Sequence, residues 1–113
     1  NNGGNHYRDF TYIDDVVEIS YLLMYKKINK SYDIFNICSN NPQNIRKVIW
    51  YFQKHLSSIK ILNIPKNKLD VFKTHGDNRK IRKLLNFKKF TKFESGFKRS
   101  FNWYKKFNQK LVF

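Results

Sequence analysis

Arg8-Asp9-Phe10-Thr11-Tyr12-Ile13-Asp14-Asp15 runs a strand-like segment straight into the start of a helix, and the fold is read outward from it. Phe10 and Tyr12 have the aromatic character of a short strand, which the pattern predicts over residues 8–13. The Asp pair supplies N-cap chemistry for the apolar run that follows. Val16, Val17, Ile19, Leu22 and Leu23 recur at helical spacing, so the helix is predicted from Asp14 or Asp15 to about Lys27. Arg8 stands at the mouth of the strand. Its planar guanidinium can fork onto a carboxylate or a phosphate, which an ammonium does less specifically.

Before this stretch, two glycines and three asparagines in residues 1–7 read as a loop. After it, residues 28–31 loosen into a turn and residues 32–37 form a compact apolar and β-branched run suited to a buried strand. Asn41-Pro42 offers an N-cap followed by proline at the first helical position, where a missing amide loses nothing. A helix is predicted from there to about Leu56, with Ile45, Val48, Ile49, Phe52 and Leu56 on one face. Residues 59–64 are a further strand candidate, closed by Pro65, and residues 66–76 read as irregular. Asp77 can cap a short helix over 78–85. Thr91-Lys92-Phe93-Glu94 fits a capping box ahead of a last helix at about 92–107, with Phe93, Phe97, Phe101 and Tyr104 facing inward.

Taken in order, Arg8 to Asp15, Tyr32-Asp33-Ile34-Phe35-Asn36-Ile37, Ser39-Asn40-Asn41-Pro42, Asp70-Val71-Phe72-Lys73-Thr74 and Trp103-Tyr104 closely resemble the C-terminal part of the extended short-chain dehydrogenases. The nearest branch is the nucleotide-sugar epimerases of the UDP-glucuronate 4-epimerase kind, and the resemblance runs from about Gly3 to about Phe107. It implies an α/β fold. Residues 1–113 would form the C-terminal, substrate-binding lobe of a Rossmann-type enzyme, without the dinucleotide-binding half. It also implies that Arg8 contacts the diphosphate of a UDP-sugar and that Asp70 approaches the nucleotide ribose. An intact relative would bind NAD, oxidise the sugar C4 hydroxyl by hydride transfer, turn the ketone over and return the hydride to the other face. The chain departs from the pattern at Leu69, where relatives carry glycine, at Asn67, where they carry Gln or Arg, and at Cys38, which replaces the usual glycine.

The family's cofactor chemistry needs a Gly-rich turn that lets a pyrophosphate reach a helix N-terminus. Gly3, Gly4, Gly76 and Gly96 make no such spacing. Proton transfer in the family uses a Tyr-x-x-x-Lys pair, and none of the seven tyrosines has lysine four residues on. The expectation is therefore a chain that contributes UDP-sugar contacts, binds no NAD by itself and has no catalytic residue. Its partner would be a missing N-terminal Rossmann half. The chain begins at Asn1 and its one methionine is Met24, so it is read as a fragment or as the tail of a split or decayed gene.

For Arg8 the competing reading is a salt bridge to Asp9 or Asp33. For Asp14 and Asp15, helix capping is preferred to metal or acid/base roles. His6, His55 and His75 lack metal-ligand spacing and read as surface or structural. Cys38 allows neither an internal disulfide nor a metal pattern and reads as a small buried apolar residue in a reducing, cytoplasmic setting.

The net charge of +15 is uneven. Residues 1–57 carry 7 Lys+Arg and 5 Asp+Glu, whereas residues 58–113 carry 16 and 3. With Phe, Tyr and Trp interleaved, the second half raises the alternative of a small basic nucleic-acid-binding module. Codon bias explains the charge more simply: Lys, Asn and Ile, all with codons rich in A and T, make up 43 of the 113 residues. No window approaches the ~18 uninterrupted apolar residues of a membrane-spanning helix.

Overall fold

The computed structural model describes residues 2–56, 59–65 and 67–108. A tight turn over Asn2–Gly4, with Gly3 and Gly4 in the left-handed region, leads into strand β1 (Tyr7–Arg8). Helix α1 is Ile13–Met24, strand β2 Gln43–Asn44, and the remaining helices are α2 (Ile45–His55), α3 (Arg79–Leu85) and α4 (Phe93–Asn108).

The predicted strand over 8–13 shrinks to two residues, because its own side chains end it. β1 pairs antiparallel with β2, Tyr7 facing Asn44 and Arg8 facing Gln43. On its other edge, Tyr7 N donates to Phe72 O and Thr74 N to Tyr7 O, so Tyr7 is hydrogen-bonded on both sides. At Asp9 the ladder gives way to side-chain chemistry. The Asp9 carboxylate accepts from Ser39 Oγ at 2.5 Å and from the backbone N–H groups of Asn40, Asn41 and Gly76 at 3.1 to 3.3 Å. One carboxylate thereby ties two distant loops to the end of β1.

Beyond it, Phe10 and Tyr12 pack on α4. The Phe10 and Phe93 rings lie 5.3 Å apart, and a Cβ at Gly96 would come within 3.1 Å of the Tyr12 ring. α1 then begins at Ile13, with Tyr12 as a side-chain-free cap, so neither Asp14 nor Asp15 is the N-cap. Both fall in the first turn, where negative charge complements the helix dipole. Asp15 is buried and instead accepts from Thr91 N and Oγ1 at 2.8 and 2.7 Å. That bond also replaces the predicted capping box. Thr91 spends its hydroxyl on Asp15, and Glu94 reaches Lys47 of α2 at 2.5 Å.

α2 starts three residues later than Asn41-Pro42 implied. Gln43 and Asn44 are drawn into the strand pair, and the Asn44 side chain performs the capping, accepting from Arg46 N at 2.9 Å. Asp77 does accept from Arg79 N at the head of α3, and Asn86 closes that helix in the left-handed conformation with φ 52°.

Neither residues 32–37 nor residues 59–64 form a strand. Both lack a ladder partner among the described residues. In the first, Tyr32 and Ile34 point outward while Lys80 pairs with Asp33 and donates to Ile34 O. In the second, Ile59, Ile61, Leu62 and Ile64 are all exposed.

The fully buried apolar core among the described residues is small. α1 packs on α3, and each contributes an isoleucine with no exposure, Ile19 and Ile81; Phe101 is buried on α4. α2 and α4 meet through rings: Tyr51 and Phe52 each lie about 5 Å from Phe97, and Phe97 stacks on Phe101 at 5.9 Å. Between them and the 10–12 segment runs an apolar cleft of about 460 Å³. Tyr104, predicted to face inward, is half exposed. The accessible surface is 9329 Å², against roughly 6,600 Å² for a compact monomer of this mass. Large apolar side chains are left exposed, most visibly on α1, where Ile13, Val17, Tyr21 and Met24 are each about 60 to 80% exposed.

Candidate functional site

Alternation along β1 places the side chains of residues 6 and 8 on one side of the chain. The bonds of Tyr7 to Phe72 and Thr74 bring the 67–74 segment alongside, and a turn at Asn67 aims Asp70 back at Arg8. In that turn Leu69 N donates to Asn67 Oδ1 and Asp70 N to Asn67 O. Asn67 and Leu69, two of the three positions at which the sequence departs from the resemblance, are thus the turn-former and an exposed side chain, and the carboxylate is presented in spite of them.

Arg8 Nη2 meets Asp70 Oδ1 at 2.5 Å, 62 residues apart in sequence. The structure therefore brings together the two residues singled out for substrate binding. Its partner is neither Asp9 nor Asp33, since Asp9 is occupied with the 39–41 and 76 loops and Asp33 with Lys80, whose ammonium lowers the Asp33 carboxyl's pKa. A second prong, Nη1, donates to Tyr7 O at 2.8 Å. Both side chains are about one quarter to one third exposed, so the pair faces solvent while its base is covered.

Sequence reasoning missed His6. Of its two readings, surface or structural, burial excludes the first: it is 3% exposed, and its Nε2 lies 3.7 Å from Asp70 Oδ2 with no hydrogen-bond partner among the described residues. The signal was available in the i, i+2 relation to Arg8. The other histidines lie elsewhere, His55 against the Phe101 ring and His75 on Asn40 Oδ1.

Arg79 holds the Asp77 carboxyl down to about 2, and Lys47 lowers Glu94. Burial pushes the Cys38 thiol up, the direction opposite to a nucleophile's. Among the described residues no group of three His, Cys, Asp or Glu side chains could hold a metal ion, and no helix is long and apolar enough to cross a membrane.

The glycines do not fit a dinucleotide. Gly3 and Gly4 sit in the first turn against Arg46 and Ile49, Gly96 is covered by Tyr12, and the Gly76 N–H is given to Asp9. What the cluster can do is bind: a guanidinium for an anion, a carboxylate for hydroxyls, and a buried imidazole behind them.

No protein-family model matches the chain. It is 38% identical over 104 residues to an uncharacterized protein of Methanocaldococcus jannaschii, covering 91% of this chain and 31% of that protein. It is 34% identical over 106 residues to a UDP-glucuronate 4-epimerase of Thermodesulfobacterium geofontis, covering 90% of this chain and 31% of the epimerase. The chain spans about a third of the length of these relatives, and it has a distant link to a nucleotide-sugar epimerase.

Proposed function

We propose that the chain is the C-terminal, UDP-sugar-contacting portion of an NAD-dependent nucleotide-sugar 4-epimerase of the UDP-glucuronate 4-epimerase kind, with the α/β character of that enzyme's substrate lobe. The observation that carries the reading is the Arg8–Asp70 pair, which joins the guanidinium and the carboxylate assigned to diphosphate and ribose. An ion pair open to solvent stabilises a fold by only about 0 to 1 kcal/mol. A charge-assisted hydrogen bond to phosphate contributes about 1.5 to 3 kcal/mol, so the pair yields to a diphosphate at little expense.

Arg8 binds the phosphate oxygens and Asp70 accepts from the ribose hydroxyls. The residues present do not fit NAD, so redox chemistry belongs to a complementary dinucleotide-binding half, and the chain by itself turns over no nucleotide sugar. The uncovered Ile13, Val17, Tyr21 and Met24 face of α1 supports such a partner, since a contiguous apolar patch marks an interaction surface.

The test is a UDP titration of the purified chain and of Arg8→Gln, beside a single-stranded oligonucleotide titration over a range of salt. Saturable UDP binding lost in Arg8→Gln is expected. Tight oligonucleotide binding that falls linearly in log salt, with no UDP binding, would replace this function with nucleic-acid binding.

A further inference from the structure

We infer that the aromatic cleft between α2, α4 and the 10–12 segment is a docking groove for an amphipathic helix of a partner protein, apolar along one stripe and acidic at both ends. Neither Arg8 nor Asp70 lines the cleft, so the inference stands apart from the nucleotide reading. The cleft holds about 460 Å³. Phe93, Phe97, Phe101 and Tyr104 form its floor, and their spacing keeps them on one stripe of α4. At a rise of 1.5 Å per residue that stripe is about 16 Å long. Phe52 of α2 and the 10–12 segment are the walls. Phe10, Phe52 and Tyr104 are 37 to 50% exposed, so this apolar surface is still open to water, and covering it is favourable.

Charge says what covers it. Lys92 lines the cleft at one end, and at the other Lys105 Nζ lies 4.8 Å from the centre of the Phe101 ring. The two lysines stand about 20 Å apart along the helix. No carboxylate lines the cleft, and the acids nearby are committed: Glu94 to Lys47, Asp14 to Arg99 and Asp15 to Thr91. Neither Lys92 nor Lys105 is ion-paired among the described residues. A partner helix lying along the stripe inserts apolar side chains at i, i+4 and i+7 and sets a carboxylate against each lysine. A second copy is disfavoured, since each chain carries +15 and α4 has four basic residues and one acidic. Single-stranded nucleic acid stacks its bases on open ring faces. Here Phe97 and Phe101 turn their faces on each other, 11° from parallel, and Phe52 meets Phe97 edge-on at 82°.

The full chain is titrated, by fluorescence anisotropy, with a labelled synthetic helix of about 16 residues carrying leucine at i, i+4, i+7 and i+11 and glutamate at both ends. The other probes are a peptide with the same stripe and lysine at both ends, a shuffled peptide of the first one's composition, and a single-stranded oligonucleotide. The glutamate-ended helix is expected to bind saturably, and the others about tenfold or more weakly. Ser100→Trp, which fills the cleft from an exposed position on α4, is expected to weaken that binding about tenfold or more. Lys92→Glu combined with Lys105→Glu leaves the cleft open and is expected to reverse the preference to the lysine-ended helix, so the outcome does not hang on the folding of Ser100→Trp. Equal binding of the glutamate-ended and shuffled peptides, or an unchanged preference in the charge-reversed chain, overturns the groove. Stronger binding of the oligonucleotide gives the face to nucleic acid, and dimers in sedimentation that Ser100→Trp abolishes give it to a second copy; either result overturns the partner helix.

Discussion

Asp15, in the first turn of α1, accepts both the backbone N–H and the hydroxyl of Thr91, 76 residues away at the approach to α4. The carboxylate is buried and acceptor-only, so these two donors are what make its burial tolerable. The pair clamps α1 to the approach of α4.

Thr91→Ala should then destabilise the chain by about 1.5 to 3 kcal/mol, the range for a hydrogen bond to a charged group. A helix cap alone would account for about 1 kcal/mol. Thr91→Ser, which keeps the hydroxyl, should stay near wild type. Urea unfolding of the three proteins measures this, and equal losses for Ser and Ala would show that the hydroxyl contributes nothing.

The Thr91 motif also shows where sequence reasoning reaches its limit. Ser/Thr-x-x-Glu is a local pattern, and it correctly marks a helix start near residue 92. The partners chosen by Thr91 and Glu94 are long-range, Asp15 and Lys47, and no local spacing encodes them. The same holds for strands. Residues 32–37 and 59–64 have strand composition, but a strand exists only with a ladder partner, and none is present among the described residues. Arg8 and Asp70 were legible as a pair of candidates through the family resemblance. Their direct contact, and the presence of His6 behind them, needed the register of β1 against residues 72–74.

Cys38 and Gly76 form a second testable relationship. A Cβ built on Gly76 would lie 2.4 Å from Cys38 Sγ and 2.9 Å from Cys38 Cβ. Cys38 is accommodated because the opposing residue has no side chain. Gly76→Ala should destabilise by about 1 to 3 kcal/mol, the usual range for overpacking. Cys38→Gly should recover most of that loss in the double variant, a coupling that independent sites would not show. Simple additivity in thermal melts would mean the two residues do not compete for the same space.

Asp77 supplies a pH prediction of definite sign. Arg79 holds its carboxyl at about 2, below the ordinary 3.8. A carboxyl depressed on folding contributes stability that is present above the unfolded value and is lost as pH falls through the folded one. The window is therefore from about pH 4 down to about pH 2. Replacing Arg79 by alanine should move the Asp77 carboxyl back toward its ordinary range and weaken the acid dependence of α3. Carbon-detected titration of the Asp77 side chain reads this directly, and an unmoved midpoint would remove Arg79 as the cause.

Arg8→Lys separates binding from scaffolding at the residue on which the functional reading turns. The guanidinium reaches Asp70 with one nitrogen and Tyr7 O with the other. A lysine keeps the charge and can keep the ion pair with Asp70, but it has no second planar prong. Because the pair is partly exposed, the fold should lose no more than about 1 kcal/mol. A diphosphate, in contrast, is recognised by the fork, and losing one charge-assisted bond of about 1.5 to 3 kcal/mol weakens UDP binding about tenfold or more. The two quantities are measured on the same protein, by melting and by UDP titration. A scaffolding role predicts the reverse pattern, and a destabilised Arg8→Lys chain with unchanged UDP affinity would show that Arg8 holds the 67–70 turn and not a nucleotide.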